Sequence, residues 1–374
     1  MQSTEQASNP VGARIHAAPA SFWDALPRPI IGLAPMDGVS DHPFRHIQAA
    51  HGRPDVVYTE FTRVEGICRA RQITVLENFL YSEIQRPVIA QIYGVDPEAF
   101  RQTAILVCQL GFQGVDINMG CPSKNVAGGG AGAGLIQTPG LAQEIVRAVR
   151  AGVSAWANGA TVRDCPSIHP NIAGEVERRS AKLPPAARLH RAIPVSIKTR
   201  IGYDAPVVEE WIPALLETEP AAIALHGRTL SQAYRGRADW TSIARAAELA
   251  QGTPTLILGN GDLASRNEGV ARVVEYGLDG ALIGRAALGN PFVFQTAPLS
   301  VPDMRLGPIA MEHGYLFEAT FRHAKRYHFP PMRKHLNAYA RRMGMPVPQR
   351  VKLLQSKSPQ EAEAVLRAFA DFRP

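Results

Sequence analysis

Cys121 stands in the run Asn118-Met119-Gly120-Cys121-Pro122. Glycine before it and proline after it make a sharp, stiff turn that aims the thiol. A thiol so placed could be a nucleophile, a proton donor or packing. A nucleophile wants a histidine or aspartate partner in the same stretch, and none is adjacent. A proton donor needs only to stay a thiol near neutral pH, as an ordinary cysteine does. Lys198 and Arg200 are two residues apart, so on a strand their side chains point the same way. Such a lysine could form a Schiff base, or donate to a carbonyl or an anionic ring; nothing around it resembles the partner set of pyridoxal. Gln91 and Asn118 carry amides suited to the edge of a flat heterocycle. His226 could hydrogen-bond the same ring or a phosphate. Gly259-Asn260-Gly261-Asp262 and Gly284-Arg285 offer backbone N–H groups and a guanidinium to a phosphate. No cluster of carboxylates with His or Cys has metal-ligand spacing, so no metal is expected.

Each of these residues closes a short apolar run. The runs lie at 31–35, 55–60, 87–93, 114–120, 194–200, 221–227, 254–260 and 278–284. They are rich in Val, Ile, Leu and Ala, as strands buried on both faces should be. Their ends are Pro35 with Met36, Glu60, Gln91, Asn118 with Cys121, Lys198 with Arg200, His226 with Arg228, Asn260 with Asp262, and Gly284 with Arg285. Helical spacing fills the intervals. Residues 97–112 place Phe100, Ala104, Val107 and Leu110 on one face. Thr138-Pro139 reads as a helix start, and Gly111, Gly152 and Gly277 as helix ends. Eight strands alternating with helices predict an α/β fold, a (β/α)8 TIM barrel, whose chemistry sits at the carboxyl ends of the strands. The rival, a doubly wound open sheet, usually has fewer strands and a glycine-rich turn after the first. Here Ala34-Pro35-Met36 follows the first run.

Lys and Arg number 40 against 33 Asp and Glu, a net charge of +7. Residues 301–374 hold thirteen of the former and six of the latter, so residues 1–300 sum to zero. A neutral body with a basic tail module suggests a polyanionic partner, against the plainer reading of a solubilising surface. With 45% hydrophobic and 20% charged residues the chain is globular rather than disordered. No run approaches the length that spans a membrane. The first residues lack a secretory pattern. The scattered cysteines 68, 108, 121 and 165 argue against disulfides or a zinc site and for a reducing cytoplasm.

In LAPMDGVSDHPFR (33–45), QIYGVDP (91–97), DINMGCPSKNV (116–126), SIKTRIG (196–202), LHGRTLSQAYRGRADW (225–240), NGD (260–262) and GRAALGNPFVF (284–294) the sequence resembles the tRNA-dihydrouridine synthases. MRKHLNAYARRMG (332–344) resembles that family's helical tail. The resemblance covers about 29–150 and 192–350. It implies an FMN cofactor reduced by NADPH and held by Pro35, Met36, Asp37, Gln91, Lys198, His226, Asn260, Gly261, Asp262, Gly284 and Arg285. It also implies hydride transfer to carbon 6 of a uracil in tRNA. Cys121 would give the proton to carbon 5, and Asn118, Lys198 and Arg200 would hold the uracil. Physical reasoning agrees on two points. Cationic donors stabilise charge building toward a ring carbonyl, and the target base must leave its stack to reach the cofactor.

The expected layout is a leader at 1–28, a catalytic barrel at 29–304 and a basic helical RNA-recognition domain at 305–374, in a monomer. An insertion at about 153–190 follows a helix and precedes a strand, so it belongs on the barrel face opposite the site. The glycine-rich residues 128–134 nearly match a dinucleotide fingerprint. They begin about eight residues past their strand, with no acidic residue ~20 positions on, and read instead as a flexible lid or threading loop. In the tail, Arg322, Lys325, Arg326, Arg333, Lys334, Arg341, Arg342 and Arg350, interleaved with Tyr327 and Tyr339, read as an RNA-facing surface. Two alternatives stand: an FMN-dependent oxidoreductase of a free pyrimidine or other small molecule, and a non-catalytic RNA-binding barrel.

Overall fold

The computed structural model describes residues 21–296, 306–323 and 327–371. Eight parallel strands form the expected closed barrel: β1 (Ile30–Leu33), β2 (Val57–Tyr58), β3 (Val88–Tyr93), β4 (Gly114–Met119), β5 (Val195–Arg200), β6 (Ala222–His226), β7 (Leu256–Asn260) and β8 (Gly280–Ile283). Ile30 pairs with Gly280 and Val57 with Val88, which joins β1 to β8 and β2 to β3 and closes the sheet. A further two-residue strand, Thr62–Arg63, lies beside the end of β3. Alternate residues face opposite sides. Ile31, Leu33, Val115, Ile117, Ile197, Ile223 and Ile257 pack outward under the helices. Ile30, Ala222, Ala224, Leu256, Leu258 and Leu282 fill the interior.

The helices α1 (His42–His51), α2 (Val64–Arg69) and α3 (Pro97–Gln109) follow the first three strands. After β4 come α4 (Lys124–Ala127), α5 (Pro139–Ala157) and α6 (Pro170–Ser180). The last barrel helices are α7 (Val208–Leu216), α8 (Trp240–Leu249) and α9 (Arg266–Glu275). Asp41, Asp96, Asp239 and Ser265 each cap a helix by accepting a first-turn N–H, worth about 1 kcal/mol apiece. Pro139 opens α5 as expected, although the Thr138 side chain makes no capping bond. Gly111 and Gly277 follow α3 and α9 at positive φ, as predicted. Gly152 does not end a helix: it lies inside α5, where a Cβ would strike the Arg101 carbonyl oxygen of α3. Its small size serves helix–helix contact.

The leader expectation also changes. Residues 1–20 lie outside the described residues, but Phe22–Ala25 form a 3-10 turn whose Trp23 is 2% exposed and packs with Ile30, Tyr58 and Ile89 beneath the barrel. The insertion packs outside α3. Asn171 and Arg179 donate to the carbonyls of Arg71 and Leu76, and Leu183 lies against Gly111, just before β4. It therefore sits toward the amino ends of the strands, away from the site.

The tail forms α10 (Leu306–Phe321), α11 (Arg333–Arg342), α12 (Val347–Gln355) and α13 (Pro359–Asp371). Their apolar faces make a second core with Ile47 of α1 and Phe292. Tyr339 is buried in that core and cannot offer its ring to a base. Arg322, Arg333, Lys334 and Arg341 are exposed, Tyr327, Arg342 and Arg350 half-buried. Lys325, Arg326 and the expected boundary at 304/305 lie outside the described residues. Among the described residues no helix is long and apolar enough to cross a membrane.

Candidate active site

The carboxyl ends of the strands surround a cavity of about 890 Å³. The loop after β1 brings Pro35, Met36 and Asp37 to its wall. β4 brings Asn118 and Cys121, β5 Lys198 and Arg200, and β6 His226. β7 brings Asn260, Gly261 and Asp262, and β8 Gly284 and Arg285. Of the sequence-predicted set only Gln91 is off the wall. It is fully buried one layer below, donating to Asp116 at 2.7 Å and accepting from Asn118 at 3.0 Å. Glu60, the end of the second run, is also buried off the cavity; burial, with Asp41 nearby, pushes its carboxyl up to about 7.

The Cys121 loop is braced from three sides. The Asn118 carboxamide oxygen accepts the N–H of Gly120 at 3.1 Å and of Cys121 at 2.9 Å. Arg200 Nε donates to the Gly120 carbonyl at 2.7 Å. The N–H of Ala133 donates to the Cys121 carbonyl at 3.2 Å. This last contact corrects the lid reading for 131–134, while Gly128 and Gly129 are exposed. Residues 131–136 are buried, and a Cβ at Gly132 would come within 3.1 Å of the Cys121 Cβ and carbonyl oxygen. The glycines let this segment back the thiol loop closely. Burial pushes the half-buried Cys121 thiol above its ordinary pKa, against the cations Arg200 and Lys198, so it is protonated at neutral pH.

Lys198 Nζ donates to Asn260 Oδ1 at 3.0 Å, and Asn260 Nδ2 to the Leu282 carbonyl at 2.8 Å. Burial, with Arg200 beside it, lowers Lys198 to about 8, which leaves it a cation at neutral pH. Burial and the surrounding Lys198, Arg200, Arg228 and Arg285 lower His226 to about 2, so its ring is neutral. Asp262 binds protein on both oxygens: Oδ2 accepts from Arg228 at 2.6 Å and Oδ1 from Arg285 at 2.9 Å. It aims Arg285, which lies over the Tyr234 ring at 5.2 Å.

One end of this cavity thus offers a thiol, a lysine and an amide, and the other an arginine with a neutral imidazole nearby. A family model described as dihydrouridine synthase matches residues 32–162 and 185–372. The chain belongs to the dihydrouridine synthase family. A probable tRNA-dihydrouridine synthase of Staphylococcus aureus (strain COL) is 33% identical over 353 residues, 93% of this chain and 95% of the relative. Probable tRNA-dihydrouridine synthase 2 of Bacillus subtilis (strain 168) is also 33% identical, over 93% of this chain and 96% of its own. An old yellow enzyme homologue from Zymomonas mobilis overlays loosely, with TM-score 0.43 at 12% identity over 74% of this chain and 91% of that chain. The family match leaves 163–184 unmatched, the stretch that contains α6.

Members of this family are flavin-dependent oxidoreductases, and the cavity fits such a group. Ala34, Met36 and Leu282 give an apolar wall for a flat ring, Lys198 a cation for its polar edge, and Arg285 a pole for a phosphate. Among the described residues no group of three or more His, Cys, Asp or Glu could hold a metal. Sequence reasoning missed two interior residues. Asp116 and Ser196 each lie two positions before a chosen residue, Asn118 and Lys198, and so on the same inward face. Extending the period of two back along each strand would have found both.

Proposed function

We propose that this protein reduces the 5,6 double bond of uridines in tRNA, with FMN as cofactor and NADPH as reductant. The observation that carries the reading is the meeting of a protonated Cys121 with the cations Lys198 and Arg200 on one cavity wall. The relatives described as tRNA-dihydrouridine synthases, matched along nearly their whole length, supply the substrate. FMN, when bound and reduced, would supply the hydride for carbon 6 of the uracil. Cys121 gives its proton to carbon 5, so the ring gains two hydrogens and the thiolate is reprotonated from solvent. Lys198 and Arg200 stabilise the negative charge that builds toward the ring carbonyl. Asn118, with its amide engaged by Gln91 and the thiol loop, acts by holding that loop.

A uracil reaches this recessed wall only when its nucleotide is turned out of the stack. The exposed Arg333, Lys334 and Arg341 of α11 suit the phosphates around it. Lys334 Nζ would lie 3.7 Å from a Cβ at Gly38, so the basic helices adjoin the cavity rim. One chain provides every site residue, which a monomer satisfies, and its four free cysteines suit a reducing compartment such as the cytoplasm. The test incubates the FMN-loaded protein with NADPH and either unmodified tRNA or free uridine, and reads dihydrouridine by mass spectrometry. Product in tRNA alone is expected. Product from free uridine alone makes the protein a small-molecule reductase, and product from neither removes the proposal.

A further inference from the structure

Beneath the cavity, four side chains form a continuous hydrogen-bond chain. Ser196 Oγ donates to Asp116 Oδ1 at 2.6 Å, and Gln91 Nε2 donates to Asp116 Oδ2 at 2.7 Å. Asn118 Nδ2 donates to Gln91 Oε1 at 3.0 Å. The Asn118 oxygen then accepts the N–H groups of Gly120 and Cys121. Strand register places these residues side by side, Gln91 opposite Asp116 and Asp116 opposite Ser196. Asp116, Gln91 and Ser196 are no more than 2% exposed, so water cannot repair a mispaired link.

Burial raises the Asp116 carboxyl to about 6, against the bonds from Ser196 and Gln91, so above neutral pH it is the carboxylate, which only accepts, and a backbone N–H only donates. With Asp116 at one end and the loop N–H groups at the other, two amides between them satisfy every link in one arrangement. Each presents its NH2 toward Asp116 and its oxygen toward Cys121. If either amide turned over, two donors or two acceptors would meet in a buried place. We infer that Asp116 is a positioning residue for Cys121: by fixing which way round Gln91 and Asn118 sit, it holds the thiol loop in place without touching it. The inference rests on the reading of Cys121 as the reacting thiol. Its test does not, because alkylation reports the loop whatever the substrate.

The experiment follows iodoacetamide labelling of Cys121 in the FMN-loaded, full-length protein by peptide mass spectrometry, beside kcat and KM for tRNA. D116L removes the acceptor and strands the Gln91 NH2. Labelling should quicken by about tenfold or more, the scale of an unpaired buried amide. Its kcat should fall while the KM for tRNA holds. D116N can still turn its oxygen to Gln91, with Ser196 accepting instead, and should stay within about threefold of the native rate. Native labelling in D116L overturns the inference. So does D116N labelling as fast as D116L, which would make the charge beside Lys198 the residue's task. If D116L does not fold, N118D and D116N/N118D decide. The carboxylate that N118D introduces turns Gln91 over and sets the Gln91 carbonyl against Asp116, so labelling quickens. In the double variant the amide introduced by D116N can donate to that turned carbonyl, and labelling returns toward the native rate. A double variant as fast as N118D overturns the inference. A loss of tRNA reduction with the labelling pattern intact would count against the proposed function alone.

Discussion

The barrel interior has two unlike halves. Under β3, β4 and β5 it is polar, with Gln91, Asp116, Asn118, Ser196 and Lys198 each hydrogen-bonded. Under β6, β7, β8 and β1, below His226 and Asn260, it is apolar, with Ala222, Ala224, Leu256, Leu258, Leu282 and Ile30 closed from below by Trp23. Burying polar groups costs free energy unless every one is paired, and even then the net gain is small. The polar half is therefore a poor source of stability and a good source of direction, since hydrogen bonds fix orientation where apolar contacts do not. The apolar half has the opposite character. Its residues face the same cavity floor, yet none except Leu282 reaches the wall.

Two substitutions set these halves against each other. C121A, at the end of the polar half, should lower dihydrouridine formation by about 10²–10⁴-fold, the usual range for a positioned proton donor. Its thermal melt and flavin absorbance should stay close to native. Undiminished turnover would remove Cys121 from proton donation. W23A, at the base of the apolar half, should destabilise the fold by about 3–5 kcal/mol, as for a large aromatic removed from a core. Below its melting point it should still hold flavin and label at Cys121 as the native protein does. A W23A protein that melts normally would return Trp23 to the leader, and one that melts normally but loses flavin would reverse the comparison.

Much of this division was legible in the sequence, because strands buried on both faces announce themselves as apolar runs, and a polar residue closing such a run stands out. That signal found Asn118, Lys198, His226 and Asn260. It failed where polarity lies inside a run. Asp116 and Ser196 read as ordinary strand residues, although the register makes them partners. It failed also where a glycine makes room for a neighbour: Gly152 inside α5 lies against α3, and Gly132, which also turns the chain at positive φ, lies against Cys121, contacts that only tertiary structure reveals. Trp23 fell inside the expected leader, 1–28, although it anchors the base of the barrel. Tyr339 shared a cationic segment with exposed arginines but faces the other side of α11. Composition gave the segment its charge; the helix gave each residue its face.

The smallest expected effect is a pH dependence within the polar half, where rate and stability should respond with opposite signs. Lys198, lowered to about 8 by burial and Arg200, loses its charge as pH rises through that value. If the cation stabilises charge on the ring, kcat for tRNA should fall along an alkaline limb near 8. Cys121, pushed above its ordinary pKa, remains a thiol there and cannot be the source of that limb. Unfolding cannot be the source through Lys198 either. A lysine whose folded pKa lies below its unfolded value binds fewer protons when folded, between about 8 and the ordinary 10.5, so this group makes the fold more stable as pH rises across that window. Rate and stability should therefore move in opposite directions, as far as this one group governs them. K198R tests the assignment, since a guanidinium stays charged across the window. The variant should lose rate at neutral pH through altered geometry, yet its remaining activity should show no limb near 8. A limb that persists at the same pH in K198R would place the titrating group elsewhere on the wall and leave Lys198 with the structural bond to Asn260.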